Sequence, residues 1–187
     1  HPAQLDARLV QPGLAQQKEE HHLLDFSLTD QNGEQVTLST AQGKIILADF
    51  FFTTCTSICP KMSMQMARVQ AAFKDDDRVL LLSHSVTPEI DSVPVLKAYG
   101  ELHGVDARRW RLLTGDRKRI YALARTSWFA VMDEGDGGPD DFVHTENFIL
   151  ADPDGRLRGF YDGTSAKEVD RAIADMHRLL EEVEAQR

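Results

Sequence analysis

Ile45-Ile46-Leu47-Ala48-Asp49-Phe50-Phe51-Phe52-Thr53-Thr54-Cys55-Thr56-Ser57-Ile58-Cys59-Pro60 is the stretch that decides the fold of this chain. The run from Ile45 to Phe52 is almost continuously apolar, which fits a central strand covered on both faces. Pro60 suits the first turn of a helix, where its missing N–H is no loss. Cys59 therefore falls at or near a helix N-terminus, where backbone donors and the helix dipole favour a thiolate. Both cysteines of the chain lie here, with three residues between them. A thiolate is a nucleophile and a soft metal ligand, so the pair suits redox chemistry, metal binding or both. If both residues were helical, their Cα atoms would stand roughly 6 Å apart, inside the usual disulfide range of about 4.4–6.8 Å. The spacing admits either oxidation state.

Working outward, the order of elements is that of an α/β domain. Leu24 to Leu28 and Gln35 to Leu38 flank the turn Asp30-Gln31-Asn32-Gly33 and predict a β-hairpin. After the thiols, Met62, Met66, Val69 and Phe73 recur at helical spacing over 60–73. Val79 to Val86 is the next buried strand, and Asp91 or Ser92 caps a helix from about Val93 to His103, stopped by Gly104. Trp110 to Leu113 is a short strand, Asp116 caps a helix through about Ala124, and Phe129 to Met132 is expected as a further strand. The turn Asp152-Pro153-Asp154-Gly155 joins two arms of a second hairpin. Ser165 and Glu168 form a capping box for a last helix whose inward face is Val169, Ile173, Met176, Leu180 and Val183. Strands alternating with helices imply a central sheet flanked by helices, with the cysteines at the carboxyl end of a central strand, where open α/β sheets place their ligands.

Bulk properties bound the function. The 187 residues suit one domain, 23–187, behind a flexible leader or linker over residues 1–22. A net charge of −9 disfavours nucleic acid and anionic membrane surfaces. No apolar run approaches the ~20 residues of a membrane helix. The first residue is His1 rather than Met, which fits an N-terminal segment removed ahead of it, a signal peptide or membrane anchor being one explanation.

Seven histidines are available as partners for the thiols. His1, His21 and His22 fall in the leader and read as solvated, and His103 and His177 as surface positions. His84 interrupts a buried strand and reads as a hydrogen-bonded core or edge histidine. His144 stands at the base of the Gly- and Asp-rich loop 133–141, a placement that suits a lid or arm over a site. Met62 and Met66 share the buried helix face, so core filling explains them better than copper does. The acidic loop lacks EF-hand spacing and reads as solvated and mobile.

Three segments together resemble the Sco/SenC family: Phe-Phe-Thr-Thr-Cys55-Thr-Ser-Ile-Cys59-Pro60, then Ser85-Val86-Thr87-Pro88-Glu89-Ile90-Asp91, and His144 ahead of Phe148-Ile149-Leu150-Ala151-Asp152-Pro153-Asp154-Gly155. The likeness covers roughly residues 24 to 183. It implies a thioredoxin-like fold with a central mixed sheet and an N-terminal β-hairpin. It also implies one copper ion, Cu(I) or Cu(II), held by Cys55, Cys59 and His144. The implied role is that of a metallochaperone for the dinuclear copper site of cytochrome c oxidase or a related copper target. The implied partners are a copper-accepting oxidase subunit and an upstream copper donor or thiol reductase. The implied place is the bacterial cell envelope or periplasm, with a membrane anchor in the full-length form. Nothing in the pattern demands more than a monomer.

One departure is that the family carries Asp before the second motif's proline, where this chain has Thr87, which is expected to alter partner choice or redox tuning rather than copper binding. The alternative reading is a thiol–disulfide oxidoreductase that reduces a partner's cysteines, with Cys55 and Cys59 as its redox pair: exposure favours Cys55 as the attacking thiol, whereas the dipole favours Cys59 as the thiolate. A spacing of three residues and the lack of a proline just before the strand near His144 tell against it. A peroxide-reducing enzyme would need threonine at position 52, which is Phe.

Overall fold

The computed structural model describes residues 21–131, 133 and 135–186. The expected leader, apart from His21 and His22, lies outside these residues. A short hairpin, β1 (Ser27–Thr29) and β2 (Gln35–Thr37), is followed by a one-turn helix α1 (Leu38–Ala41). Then come β3 (Ile45–Phe51), α2 (Ile58–Ala72), β4 (Val79–Ser85), α3 (Val93–Leu102), β5 (Trp110–Leu113) and α4 (Arg117–Ala122). A π-helical turn (Leu123–Ser127) continues α4, and β6 (Asn147–Ala151), β7 (Leu157–Asp162) and α5 (Ala166–Ala185) complete the domain. The main sheet runs β5-β4-β3-β6-β7. Its β3, β4 and β5 are parallel, whereas β6 runs antiparallel to β3 and β7 to β6. This is the mixed sheet of a thioredoxin-like fold.

β3 lies at the centre with every residue buried. Its side chains alternate between two cores, as strand geometry requires. Ile45, Leu47 and Phe51 join Met62, Met66 and Val69 of α2 and Val169 and Met176 of α5. Ile46, Ala48 and Phe50 face the hairpin and α4 side, with Leu28, Ile120 and Trp128. Met64, on the outer face of α2, is 61% exposed, so the two buried methionines are core filling, as their spacing indicated. On α5, Ser165 caps the Glu168 N–H as expected, but the Glu168 carboxylate reaches the Asp162 N–H instead of closing the box.

Two expectations need correcting. Residues 129–131 form no strand, and Met132 lies outside the described residues. The chain instead leaves the π-turn with Trp128 N–H bonded to Leu123 O and Ala130 N–H to Ala124 O. Phe129 takes φ = 51°, an uncommon left-handed conformation for a bulky residue. The second concerns His21, which is half-buried against the domain, whereas His22 is exposed as expected. His21 Nε2 lies 2.8 Å from Ser127 O, its ring stands 4.6 Å from that of Phe129, and Arg156 Nε bonds His22.

Candidate metal centre

Two connections carry the candidate residues, and both emerge beside β3. The first is the thiol arm, residues 52–59, between β3 and α2. The second is the imidazole arm, residues 142–146, which leads into β6. They touch at their bases, where Phe142 packs edge-on against Phe52 with ring centroids 5.4 Å apart.

On the thiol arm both cysteines are free, Cys55 half-buried and Cys59 buried. Ser57 is the N-cap of α2 without making a side-chain capping bond, so the first helical N–H groups need other acceptors. One finds a sulfur: Cys59 N–H points at Cys55 Sγ, 3.4 Å away, and Ser57 Oγ stands 3.8 Å from the same sulfur. The helix N-terminus therefore serves Cys55. Partial burial works against a charged Cys55, but hydrogen bonds from Cys59 and Ser57 outweigh it and hold the thiol below its ordinary range. For Cys59 the balance reverses. Burial, then its hydrogen bond to Cys55, push it up to about 12. The dipole argument that placed the thiolate on Cys59 is corrected here: the donor belongs to Cys59, and its target is Cys55.

What fixes this arm is Asp91, fully buried before α3. Its carboxylate accepts the Thr53 N–H (3.2 Å), the Thr53 hydroxyl, the Ser85 hydroxyl (2.7 Å) and the Thr87 hydroxyl (3.0 Å). Thr87, which stands in place of the family's Asp, is thus a donor to a carboxylate four residues further on. The sequence showed Asp91 only as a helix cap, because its partners come from three separate positions.

The imidazole arm is held differently. Arg125, presented by the π-turn, makes a fork-like pair with Asp141 at 2.7 Å on each side and a longer contact to Asp133. Arg117 bonds the Asp141 carbonyl. Both ends of the acidic loop are therefore gripped, which departs from a wholly solvated segment. Beyond it, Thr145 and Asn147 donate to Ala130 O. His144 is exposed and lines an open cavity of about 460 Å³ with Phe142, Asp133 and Asn147. Among the described residues, no group of three or more His, Cys, Asp or Glu side chains could hold a metal ion. The structure thus brings Cys55 and Cys59 together and leaves His144 on the neighbouring arm, outside a three-ligand set.

His84 is a core histidine, as read from its strand: it is fully buried, with Nδ1 3.0 Å from Asp49 O and its ring stacked on Phe50. His103 and His177 pack on Tyr99 and Phe73.

Comparison with known proteins identifies the family and the fold. The SCO1/SenC family model matches residues 14–181. A SCO1/SenC family lipoprotein from Bacillus anthracis is 31% identical, with 86% of this chain and 95% of that one covered at a TM-score of 0.74. BsSco, described as a member of the Sco family of cytochrome c oxidase assembly proteins with a disulfide switch, is also 31% identical, over 85% and 93%, with a TM-score of 0.72. Bradyrhizobium japonicum ScoI, solved with copper bound, is 30% identical over 84% and 99%, with a TM-score of 0.66.

Proposed function

The chain belongs to the SCO1/SenC family, and from that premise we propose that it is a copper-binding metallochaperone whose ligands are Cys55, Cys59 and His144. The observation that carries the reading is the pair of free thiols at the start of α2, one of them drawn toward the thiolate by the helix's own N–H. Thiolates select Cu(I), and imidazole accepts either copper oxidation state. ScoI, a relative sharing 30% of its residues with this chain, has been solved with copper bound.

Two sulfurs alone leave the ion accessible, and approach of His144 completes a three-coordinate shell still open on one side. Such a shell can pass its ion to an incoming ligand, whereas a closed four-ligand site retains it. Loading requires the dithiol, because a disulfide offers no thiolate. Oxidation of the pair therefore gates copper uptake. The acceptor is the dinuclear copper site of a cytochrome c oxidase or a related copper protein, and a copper donor or thiol reductase acts upstream. The setting is the cell envelope, in keeping with the lipoprotein relative. No helix among the described residues is long and apolar enough to cross a membrane.

The test is Cu(I) titration of the reduced protein against a competing chelator. One ion per chain is expected, with His144→Ala binding roughly 10–100-fold more weakly. Equal affinity in that variant would refute the three-ligand assignment. A wild type that takes up no Cu(I) would refute the copper reading altogether.

A further inference from the structure

The polar contacts around Asp91 form a closed set with a direction to it. On one side stand Ser85 at the end of β4 and Thr87 just beyond, both fixed by the sheet: Val86 N–H bonds Phe51 O, and Thr87 N–H bonds Ser85 Oγ. On the other side stands Thr53, two residues ahead of Cys55, which offers both its N–H and its hydroxyl. A carboxylate only accepts, and this one accepts from all four donors. It is fully buried, and among the described residues its carboxylate bonds Thr53, Ser85 and Thr87, so it is a neutral-donor hub and not half of an ion pair. The hub links two connections 38 residues apart and lies at the root of the thiol arm.

We propose that Asp91 is a positioning residue for copper binding: by tying Thr53 to the end of β4 it holds Cys55 in register with Cys59 before the metal arrives. The inference rests on the copper reading above and adds to it the reason the thiol half of the site is preformed. Without the tie, residues 53–57 would have to be ordered at the moment of binding, and that cost would come out of the affinity. Groups outside the ligand set that orient metal ligands typically contribute about 10–100-fold in affinity.

The four contacts also dictate which substitution should be harmless. Asparagine is nearly isosteric. With its oxygen at the Oδ2 position it accepts from Thr53 N–H and from the Ser85 and Thr87 hydroxyls, the three groups that reach Oδ2 here. Its amide nitrogen, at the Oδ1 position, donates to Thr53 Oγ1, which now accepts. Every bond survives and only the charge is lost. Alanine keeps neither charge nor bonds. The pair of variants therefore separates positioning from electrostatics.

The experiment is Cu(I) competition titration of reduced wild type, Asp91→Ala, Asp91→Asn and Thr53→Val, at a temperature where circular dichroism shows each chain folded. Asp91→Ala is expected to bind at least about tenfold more weakly and Asp91→Asn within about threefold of wild type. Thr53→Val, which cuts one of the arm's two ties and leaves the strand side whole, is expected to lose roughly three- to tenfold. If Asp91→Ala does not fold, the Thr53→Val and Asp91→Asn pair carries the test. A purely architectural role would leave the affinity of every folded variant unchanged, and that result overturns the proposal. So does an Asp91→Asn variant as weak as Asp91→Ala, which would make charge the agent. Wild type that binds Cu(I) while the variants match it sinks this inference alone. Wild type that does not bind removes the copper reading and this inference with it.

Discussion

The thiol arm and the imidazole arm leave the same end of the sheet, at the neighbouring strands β3 and β6, but are tied down by different chemistry. The first is held by a buried carboxylate and four neutral donors. The second is held through charge, by the Arg125–Asp141 fork and the Arg117 contact to the Asp141 carbonyl. Between Asp141 and the start of β6 lie only five residues, and of their side chains Val143 and Thr145 are buried. Phe142, His144 and Glu146 face outward. A pair of sulfurs already in place and an imidazole on a separate arm is the arrangement that the proposed copper carrier would need in order to accept and surrender an ion. A site with all three ligands locked would bind well and release slowly.

The comparison breaks most completely if the sulfurs are not the foundation of the site. Cys55→Ser or Cys59→Ser should abolish stoichiometric Cu(I) uptake in the competition titration, whereas His144→Ala only weakens it. If either serine variant retained wild-type affinity, the thiol arm would not be the preformed half.

The two sulfurs should also differ from each other. Cys55 is held below the ordinary thiol range and Cys59 is pushed up to about 12, so at pH 7 a small alkylating reagent should modify Cys55 at least about 100-fold faster. Peptide mapping after brief iodoacetamide exposure reads this directly. Equal labelling would mean the helix donor does not favour Cys55.

The thiol side has a further feature for which the structure shows no counterpart on the other arm. Asp49 of β3 is buried, and desolvation raises it to about 7 against the Ser83 hydrogen bond that lowers it. Its raised value in the folded state means stability is fullest below about pH 4 and is lost as pH climbs through 7. From 3.8 to about 7 this is of order 4 kcal/mol. His84 works oppositely. Burial lowers it to about 4, so its contribution is lost as pH falls from about 6.5 toward 4. Between pH 4 and 6.5 the two slopes oppose one another. Asp49→Asn should remove the alkaline loss and expose the acid slope of His84, measured as denaturant midpoints from pH 4 to 8. Parallel curves for variant and wild type would contradict this.

The smallest effect is expected from Arg125→Ala. Amide exchange should quicken over residues 133–147 and stay unchanged over 53–59, with Cu(I) affinity within about tenfold of wild type. Faster exchange on both arms would show that they are not held separately. In the unsubstituted protein, copper should slow exchange over 133–147, and equal protection with and without the metal would speak against closure of the imidazole arm.

How much of this could be read in advance depended on sequence distance. β3, the start of α2 and the buried methionine face were legible because an apolar run, a first-turn proline and a helical period are local signals. Residues 129–131 were misread because an apolar run of Phe, Ala and Val imitates a strand, while the π-turn that claims the Ala130 N–H leaves no local mark. The anchoring of His21 was hidden because its partner, Ser127, is 106 residues away. Asp91 looked like a helix cap until Thr53 arrived beside it. The choice of thiolate stayed open between the two cysteines because a dipole gives a region and not the atom its N–H meets. His144 became a candidate ligand through family resemblance, and its loop position alone supported only a lid.

Copper K-edge absorption on the Cu(I)-loaded protein, wild type beside His144→Ala, addresses the centre of the account. Two sulfur scatterers and one nitrogen are expected in the wild type, with the nitrogen missing from the variant and both sulfurs retained. A two-sulfur shell identical in both proteins would mean that the imidazole never joins the thiols.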